Sequence, residues 1–419
     1  MTTTTQRRHP PDYVLLTLVG VLVPLGIVMV YSASFIDAYV NHQNQLYYMW
    51  RQLAAAGVGG IGMLIAQRMD YRFFRRYSIH FMAFALFLLV LTLILPRQFT
   101  TINGAHSWIR IGGFSLQPSE LAKLALVIYM ADWLSRRGGK LTNVTYGLLP
   151  FALMLGVVCG LVMLGRDMGT TVVIIVIGGI VYFAAGANLL HLAGALAIAS
   201  VAFWGLVNMA SYRIERIAAW IDPFEYYFTS GYQPVHSLYA FASGGLFGVG
   251  IGQSRQKFLW LPQAHTDAIF AIIGEEFGLI GTLFIVGCFV LLAYRGMVIA
   301  ARVRDPFAAL LATGITVWLV FQALINMAVV TTLLPFTGLT LPFISYGGTS
   351  LMISMVAMGV LLSVSRQMGE PEPADNQTVK DGDMREEPLG MRRRDWRARV
   401  PGAGGRRSAQ RAWGGIRRS

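Results

Sequence analysis

The sequence predicts an all-α integral membrane protein of about ten transmembrane helices, with a large extracytoplasmic loop between spans 7 and 8. Three observations carry that prediction. Of 419 residues, 55% are hydrophobic and only 13% are charged, where a soluble domain carries about 25% charged residues. The apolar residues run in long blocks, which suit a solvent of lipid, where each backbone group must bond within its own helix. Basic residues gather in the short loops on alternate sides of those blocks, the pattern that fixes orientation in a bilayer.

Ten blocks approach the ~20 residues that a span requires: Tyr13–Ala33, Gln52–Ala66, Ser78–Leu95, Ser119–Leu134, Val144–Leu164, Met168–Ala185, Leu189–Met209, Ala268–Tyr294, Pro306–Val330 and Pro342–Val364. Gln52–Ala66 and Ser119–Leu134 are the shortest. The first block is too long for the apolar region of a signal peptide and lacks a small-residue cleavage site, so it reads as a signal anchor. Ten spans put both termini on one side. That side then holds Arg7 and Arg8, Arg68, Arg72, Arg75 and Arg76, Arg136, Arg137 and Lys140, Arg295, Arg302 and Arg304, and the C-terminal tail. The opposite loops are poorer in basic residues, so both termini are expected in the cytoplasm.

The expected organisation is a cytoplasmic N-terminus over 1–12, a membrane domain over 13–365 and a disordered basic tail over 366–419. The tail holds 13 of the 34 Lys and Arg residues, is rich in Arg, Gly and Pro, and has few large apolar residues. The net charge of +13 is therefore a matter of topology and anionic lipid, not of nucleic acid. Cys159 and Cys288 both lie in apolar blocks, so no disulfide framework is indicated. Two external segments are long, 96–118 and 210–266. The second has Tyr, Trp and Phe, an Asp222-Pro223 pair and a glycine run from Gly244 to Gly252. A loop of that length in a compact protein is usually functional. Short interfacial helices are expected in it, with Trp220 and Trp260 near the headgroups.

Ionisable side chains in a membrane helix are costly and mark candidate sites. Glu120 and Lys123 share one helix face at i, i+3, either as a mutual ion pair or in a substrate cavity. Arg166-Asp167, before Gly169 and Thr170, suits a capped helix start better than direct chemistry. Asp267 opens the eighth span after Pro262-Gln263-Ala264-His265-Thr266. It is either an N-cap or a carboxylate at the mouth of the helix placed to take a proton. His265 is a candidate second base or ligand, although a lone loop histidine is more often neither. Glu275 and Glu276 are adjacent and point about 100° apart; one is expected to face a cavity or a basic partner, the other the bundle interior. Arg255 and Lys257 are either a pyrophosphate grip or surface charges. Pro342 to Ser350, containing Ser345, permits close helix packing or a broken helix lining a cavity. No Walker motif, HExxH, GxSxG or Cys/His metal cluster is present, which leaves a transporter or an enzyme acting on a membrane-borne substrate.

Several segments taken in order resemble the SEDS family (shape, elongation, division and sporulation). They are Asn103-Gly104-Ala105-His106-Ser107-Trp108-Ile109-Arg110 with Gln117-Pro118-Ser119-Glu120-Leu121-Ala122-Lys123; Gly231-Tyr232-Gln233 and Gly244-Gly245-Leu246-Phe247-Gly248; Leu261-Pro262 with His265-Thr266-Asp267; Gly274-Glu275-Glu276-Phe277-Gly278; and Gly338 through Gly348. The resemblance spans about Asp12 to Val364. Ser254-Arg255-Gln256-Lys257, Ala264-His265-Thr266-Asp267 and Gly338-Leu339-Thr340-Leu341-Pro342 look more like its division-type than its elongation-type members.

The resemblance implies a peptidoglycan glycosyltransferase at the division septum of the bacterial plasma membrane. Such an enzyme polymerises lipid II into β-1,4 glycan strands with inversion and releases undecaprenyl pyrophosphate. It implies a class B penicillin-binding protein and other divisome membrane proteins as partners, and a divalent metal (Mg²⁺ or Mn²⁺) without an organic cofactor. Asp267 falls on the family's essential aspartate, Glu120 and Lys123 on its fourth-span pair and Lys257 on a basic loop position. Arg110, Arg255, His265, Glu275 and Ser345 are carried as supporting residues. Departures are Gln263 for a frequent Glu, Arg166-Asp167 for Pro-Asp, His236 for Gln and Ala268 for Phe; the loss of acid at 263 weakens a metal role there. The alternative readings are a lipid II flippase or the elongation-type polymerase.

Overall fold

A computed structural model of the chain describes residues 10–368, apart from 103, 104, 112, 113, 139, 140, 142, 209 and 210. The expectations at Arg7, Arg8, Asn103, Gly104 and Lys140, and for the tail beyond residue 368, fall outside the described residues.

The described chain is built on helices, in keeping with an all-α membrane protein. They run α1 (Tyr13–His42), α2 (Tyr47–Arg68), α3 (Tyr71–Arg76), α4 (Ser78–Ile94), α5 (Arg97–Thr100), α6 (Pro118–Ser135), α7 (Leu149–Leu164), α8 (Met168–Ala184), α9 (Leu189–Asn208), α10 (Ser211–Ile221), α11 (Tyr232–Gly244), α12 (Ile269–Arg302), α13 (Pro306–Val330) and α14 (Gly348–Ser365). A π-helical turn, Val144–Leu148, leads into α7. Among the described residues, five stretches are long and apolar enough to cross a membrane: Tyr13–His42, Val144–Leu164, Ile269–Arg302, Pro306–Val330 and Gly348–Ser365. The other expected blocks also fall on helices. The last begins six residues later than expected, because 342–347 is a turn and not the helix start.

Segment 96–118 forms two small antiparallel hairpins, β1 (Thr101–Ile102) with β2 (Ala105–His106) and β3 (Ile109–Ile111) with β4 (Phe114–Leu116). The apolar pattern gave no sign of them. Segment 210–266 contains two short helices, α10 and α11.

Small residues set the closest contacts. α2 lies along α14, and a Cβ at Gly359 would collide with the Met63 main chain. Asp12 accepts from the N–H groups of Val14 and Leu15, pairs with Arg295 and donates its own N–H to Ser365 Oγ at 3.2 Å. One residue thereby ties α1 to α12 and α14.

The glycine run of the large loop has a specific task. α12 breaks at Gly278 (φ 68°, ψ −162°), a conformation open in practice only to glycine. The break frees main-chain groups that would otherwise bond along the helix, and the loop satisfies them. Val249 N–H donates to Glu275 O (2.9 Å), Gly250 N–H to Glu276 O (3.1 Å), and Leu279 N–H to Gly245 O (2.9 Å). A Cβ at Gly278 would collide with Leu246 and Gly248. The Gly278→Ala variant should therefore lose about 1–3 kcal/mol from strain alone. Gly287→Ala, on the same helix with open space around it, should melt like wild type. Equal melting temperatures for the two variants would refute this account of the loop.

Candidate functional site

A cavity of about 1510 Å³ lies among the C-terminal end of α1, the N-terminal part of α2, the β-hairpin segment, α10, the 257–267 segment and the 335–348 turn. Asp267, Glu120, Lys257 and His265 all line it, joined by Asp167, Arg166 and Arg216. The chain separates these residues by up to about 150 positions, so their convergence is a product of the fold.

Asp267 is not a helix cap. The N-cap residue of α12 is Ala268, and no side chain caps the helix. Gln263, left-handed at φ 54°, turns the chain so that its carbonyl accepts from the N–H groups of Thr266 (3.1 Å) and Ala268 (3.3 Å). This turn aims the Asp267 carboxylate into the cavity. Gly338 makes room for it, since a Cβ there would stand 3.4 Å from Asp267 Oδ2. Burial lifts the Asp267 carboxyl to about 6, with Arg216 pulling it down and Asp167 pushing it up. Burial disfavours the charged form of an acid.

Asn326 fixes the main chain beneath the carboxylate. Its Nδ2 donates to Asp267 O at 2.8 Å and to Leu339 O at 2.6 Å. Its Oδ1 is buried without a partner. One turn earlier, Gln322 donates to Thr340 O (3.0 Å) and accepts from Lys123 Nζ (2.6 Å) and Trp318 Nε1 (2.9 Å). Neither was singled out in the sequence. The signal was there: two amides at i, i+4 in an apolar span, where polar side chains are as telling as charged ones.

Glu120 and Lys123 pair at 2.7 Å. Glu120 lines the cavity, and its second oxygen, Oε2, is buried without a partner. Lys123 is wholly buried beneath it, off the lining, with its Nζ over the Trp318 ring. Glu120 is thus both ion-paired and on the cavity wall.

Lys257 is also buried and does line the cavity. It pairs with Glu276 at 3.0 Å and lies 3.3 Å from Ser32 Oγ, which donates to both Glu276 oxygens at 2.7 and 2.8 Å. Of the adjacent acids, Glu276 therefore faces the basic partner. Glu275 turns to the loop, accepting from Arg255 N–H (2.8 Å) and from Ser254 Oγ. It shapes the 254–257 turn and does not reach the cavity. Arg255 is exposed and Arg110 is exposed on β3, both off the lining. Ser345 Oγ accepts from Leu341 N–H (2.8 Å), closing the turn before α14 without lining the cavity.

Asp167 caps α8 through Thr170 N–H (3.0 Å) and accepts from Gln117 Nε2 (3.2 Å) and Ser119 Oγ (3.1 Å). Arg166 is left-handed at φ 64°. Proline cannot adopt that angle, so a Pro-Asp pair here would require another backbone. His236, the departure from Gln, bonds Gln256 Oε1 (2.7 Å) and Tyr227 OH (3.2 Å). Burial lowers the His265 imidazole to about 4, keeping it neutral.

Among the described residues no three His, Cys, Asp or Glu side chains converge as a metal cage. The donor set does not fit a divalent ion held by protein alone.

Comparison with known proteins follows the same lines. Residues 13–370 match the FtsW/RodA/SpoVE family of cell cycle proteins. A probable peptidoglycan glycosyltransferase FtsW of Trichlorobacter lovleyi is 43% identical over 84% of this chain and 93% of its own. Stage V sporulation protein E of Bacillus subtilis is 42% identical over 86% of this chain and 99% of its own. A chain from a structure of a peptidoglycan synthase complex that coordinates polymerization and crosslinking superposes with a TM-score of 0.71 at 29% identity, covering 86% of this chain and 99% of that one. The rod shape determining protein RodA of Thermus thermophilus gives 0.64 at 28% identity, covering 86% and 98%.

Proposed function

The chain belongs to the FtsW/RodA/SpoVE family, and on that premise we propose that it is a peptidoglycan glycosyltransferase polymerising lipid II, with Asp267 as the general base. The observation that carries the reading is the cavity-facing carboxylate of Asp267, lifted by burial to about 6. A base must be ionised before it can take a proton, and it works best with a pKa near the working pH. Asp267 removes the proton from the acceptor sugar's 4-hydroxyl as that oxygen attacks C1 of the donor. The C1–O bond to pyrophosphate breaks with inversion, and undecaprenyl pyrophosphate departs with the bond's electron pair. Arg216, Arg166 and Lys257, all on the cavity wall, stabilise the charge that develops there. The expected divalent cation, Mg²⁺ or Mn²⁺, would supply charge neutralisation for the leaving pyrophosphate.

Ten crossings with both termini cytoplasmic put this cavity at the extracytoplasmic face, where the lipid II headgroup is polymerised. The division-type motifs favour the septum as its place. A class B penicillin-binding protein is the expected partner, along with other membrane proteins of the division machinery. Asn326 acts as a positioning residue. Asn326→Leu should lower the polymerisation rate about tenfold or more, as misplacement of a reacting group does, with little change in KM. A matching rise in KM would instead make it a binding residue.

The test is a gel of glycan products from labelled lipid II. It uses purified protein with its cognate class B penicillin-binding protein disabled for transpeptidation. Ladders from wild type alone, and none from Asp267→Asn, support the assignment. No ladder from wild type, under conditions where a known polymerase works, overturns it and shifts weight to movement of the headgroup across the membrane.

A further inference from the structure

One wall of the cavity is built from aromatic rings that the proposed chemistry does not use. Tyr47 and Tyr48 open α2, His265 lies two residues before Asp267, and Tyr346 sits in the turn before α14. All four line the cavity. Their rings are in contact. Between ring centroids, Tyr48 lies 4.5 Å from His265 and 5.0 Å from Tyr346, His265 lies 5.6 Å from Tyr346, and Tyr47 lies 5.2 Å from Tyr48. The Tyr346 N–H donates to His265 O at 2.9 Å, so this shelf is locked to the turn segment that carries the aspartate.

Polar groups edge the shelf. Asp37 and Arg51 also line the cavity. Asp37 accepts from Asn41 Nδ2 at 2.9 Å, and Arg51 Nη1 donates to Tyr47 OH at 2.6 Å. A headgroup belt would turn its rings outward. On α2 that role falls to Trp50, which is 56% exposed, while Tyr47 and Tyr48 turn inward. The neutral state of His265 lets its ring stack as an aromatic face and not as a cation.

A pyranose with equatorial substituents has the complementary chemistry. Its axial C–H groups form an apolar face that suits the electron-rich face of a ring, and its hydroxyls and amide point outward to the rim. Two residues of chain span at most about 7 Å, comparable to the width of one sugar. A ring resting on His265 and Tyr346 therefore lies beside Asp267. The cavity exceeds the ~300–1,000 Å³ of an ordinary ligand pocket, leaving space for more than one sugar. We propose that the Tyr47–Tyr48–His265–Tyr346 shelf is a saccharide subsite that holds a hexosamine ring of the acceptor with its hydroxyl toward Asp267. The acceptor role rests on the glycosyltransferase reading above.

The test separates the two. The full chain in lipid nanodiscs is titrated with a soluble β-1,4-linked N-acetylhexosamine disaccharide, without lipid or pyrophosphate, and binding is followed by saturation-transfer NMR. Tyr346→Leu should weaken binding about tenfold, the scale of one aromatic contact. Tyr346→Phe, which keeps the ring, should bind close to wild type. No binding by wild type, unchanged binding by Tyr346→Leu, or equal losses in Tyr346→Leu and Tyr346→Phe would each overturn the subsite. Ring-dependent binding by a wild type that makes no glycan would uphold the saccharide subsite and remove the polymerase reading. Glycan synthesis with an unchanged KM for lipid II in Tyr346→Leu would do the reverse.

Discussion

Asp267→Asn should abolish glycan synthesis while leaving a folded protein. The base contributes about 10²–10⁴-fold, and the amide cannot accept the proton. Folding should survive, because the carboxylate makes no cap for α12, and Asn326 grips the main-chain carbonyl, which the substitution keeps. The same residue sets the pH profile. As the pH falls through about 6 the carboxyl takes up a proton and loses its capacity as a base, so activity should rise with pH across that range. Arg216 holds that value down and Asp167 holds it up. Arg216→Gln should therefore move the acid limb to higher pH. Asp167→Asn, which keeps an acceptor for the α8 cap, should move it lower. Rate profiles of lipid II polymerisation across pH 5–8 test both signs, and a limb that stays fixed in both variants would exclude Asp267 as the titrating group.

The second large effect belongs to Lys257 and Glu276. Both are buried and paired at 3.0 Å. Removing one partner strands a charge in a site with little water, at a cost of about 3–5 kcal/mol. Lys257→Met and Glu276→Leu should each lower the melting temperature sharply. The double variant should regain most of that stability, because no charge remains to be buried. Polymerisation should not return with it, since Lys257 also reaches the cavity wall. A double variant no more stable than the worse single variant would refute the pairing account. Recovery of activity in the double variant would remove Lys257 from the site.

Much of the site was legible in the chain because charge in an apolar helix is conspicuous. Glu120, Lys123 and Glu276 stood out on that ground alone, and each has a buried partner. Asp267 stood out by position, but its spacing fitted a cap as well as a base. The absence of any cap bond at the start of α12 separates those readings, and spacing cannot reveal where a side chain points. Glu275 and Ser345 carried the same signal as their neighbours yet serve the 254–257 turn and the turn before α14. Arg216 and the aromatic shelf gave no local signal, because what marks them is proximity to residues far away in the chain.

The sequence by itself determined that this is a helical membrane protein, where its apolar blocks lie and which family it belongs to. Those follow from hydrophobic runs and short-range motifs, which need no partner to be read. The tertiary structure alone decided that the glycine run returns to bond with the break at Gly278, that Lys257 meets Glu276 and Ser32, and that one cavity gathers Asp267, Asp167, Arg216 and Glu120. Those arrangements depend on unsatisfied main-chain groups and buried charges finding partners across the bundle. No local pattern encodes which distant residue will supply them.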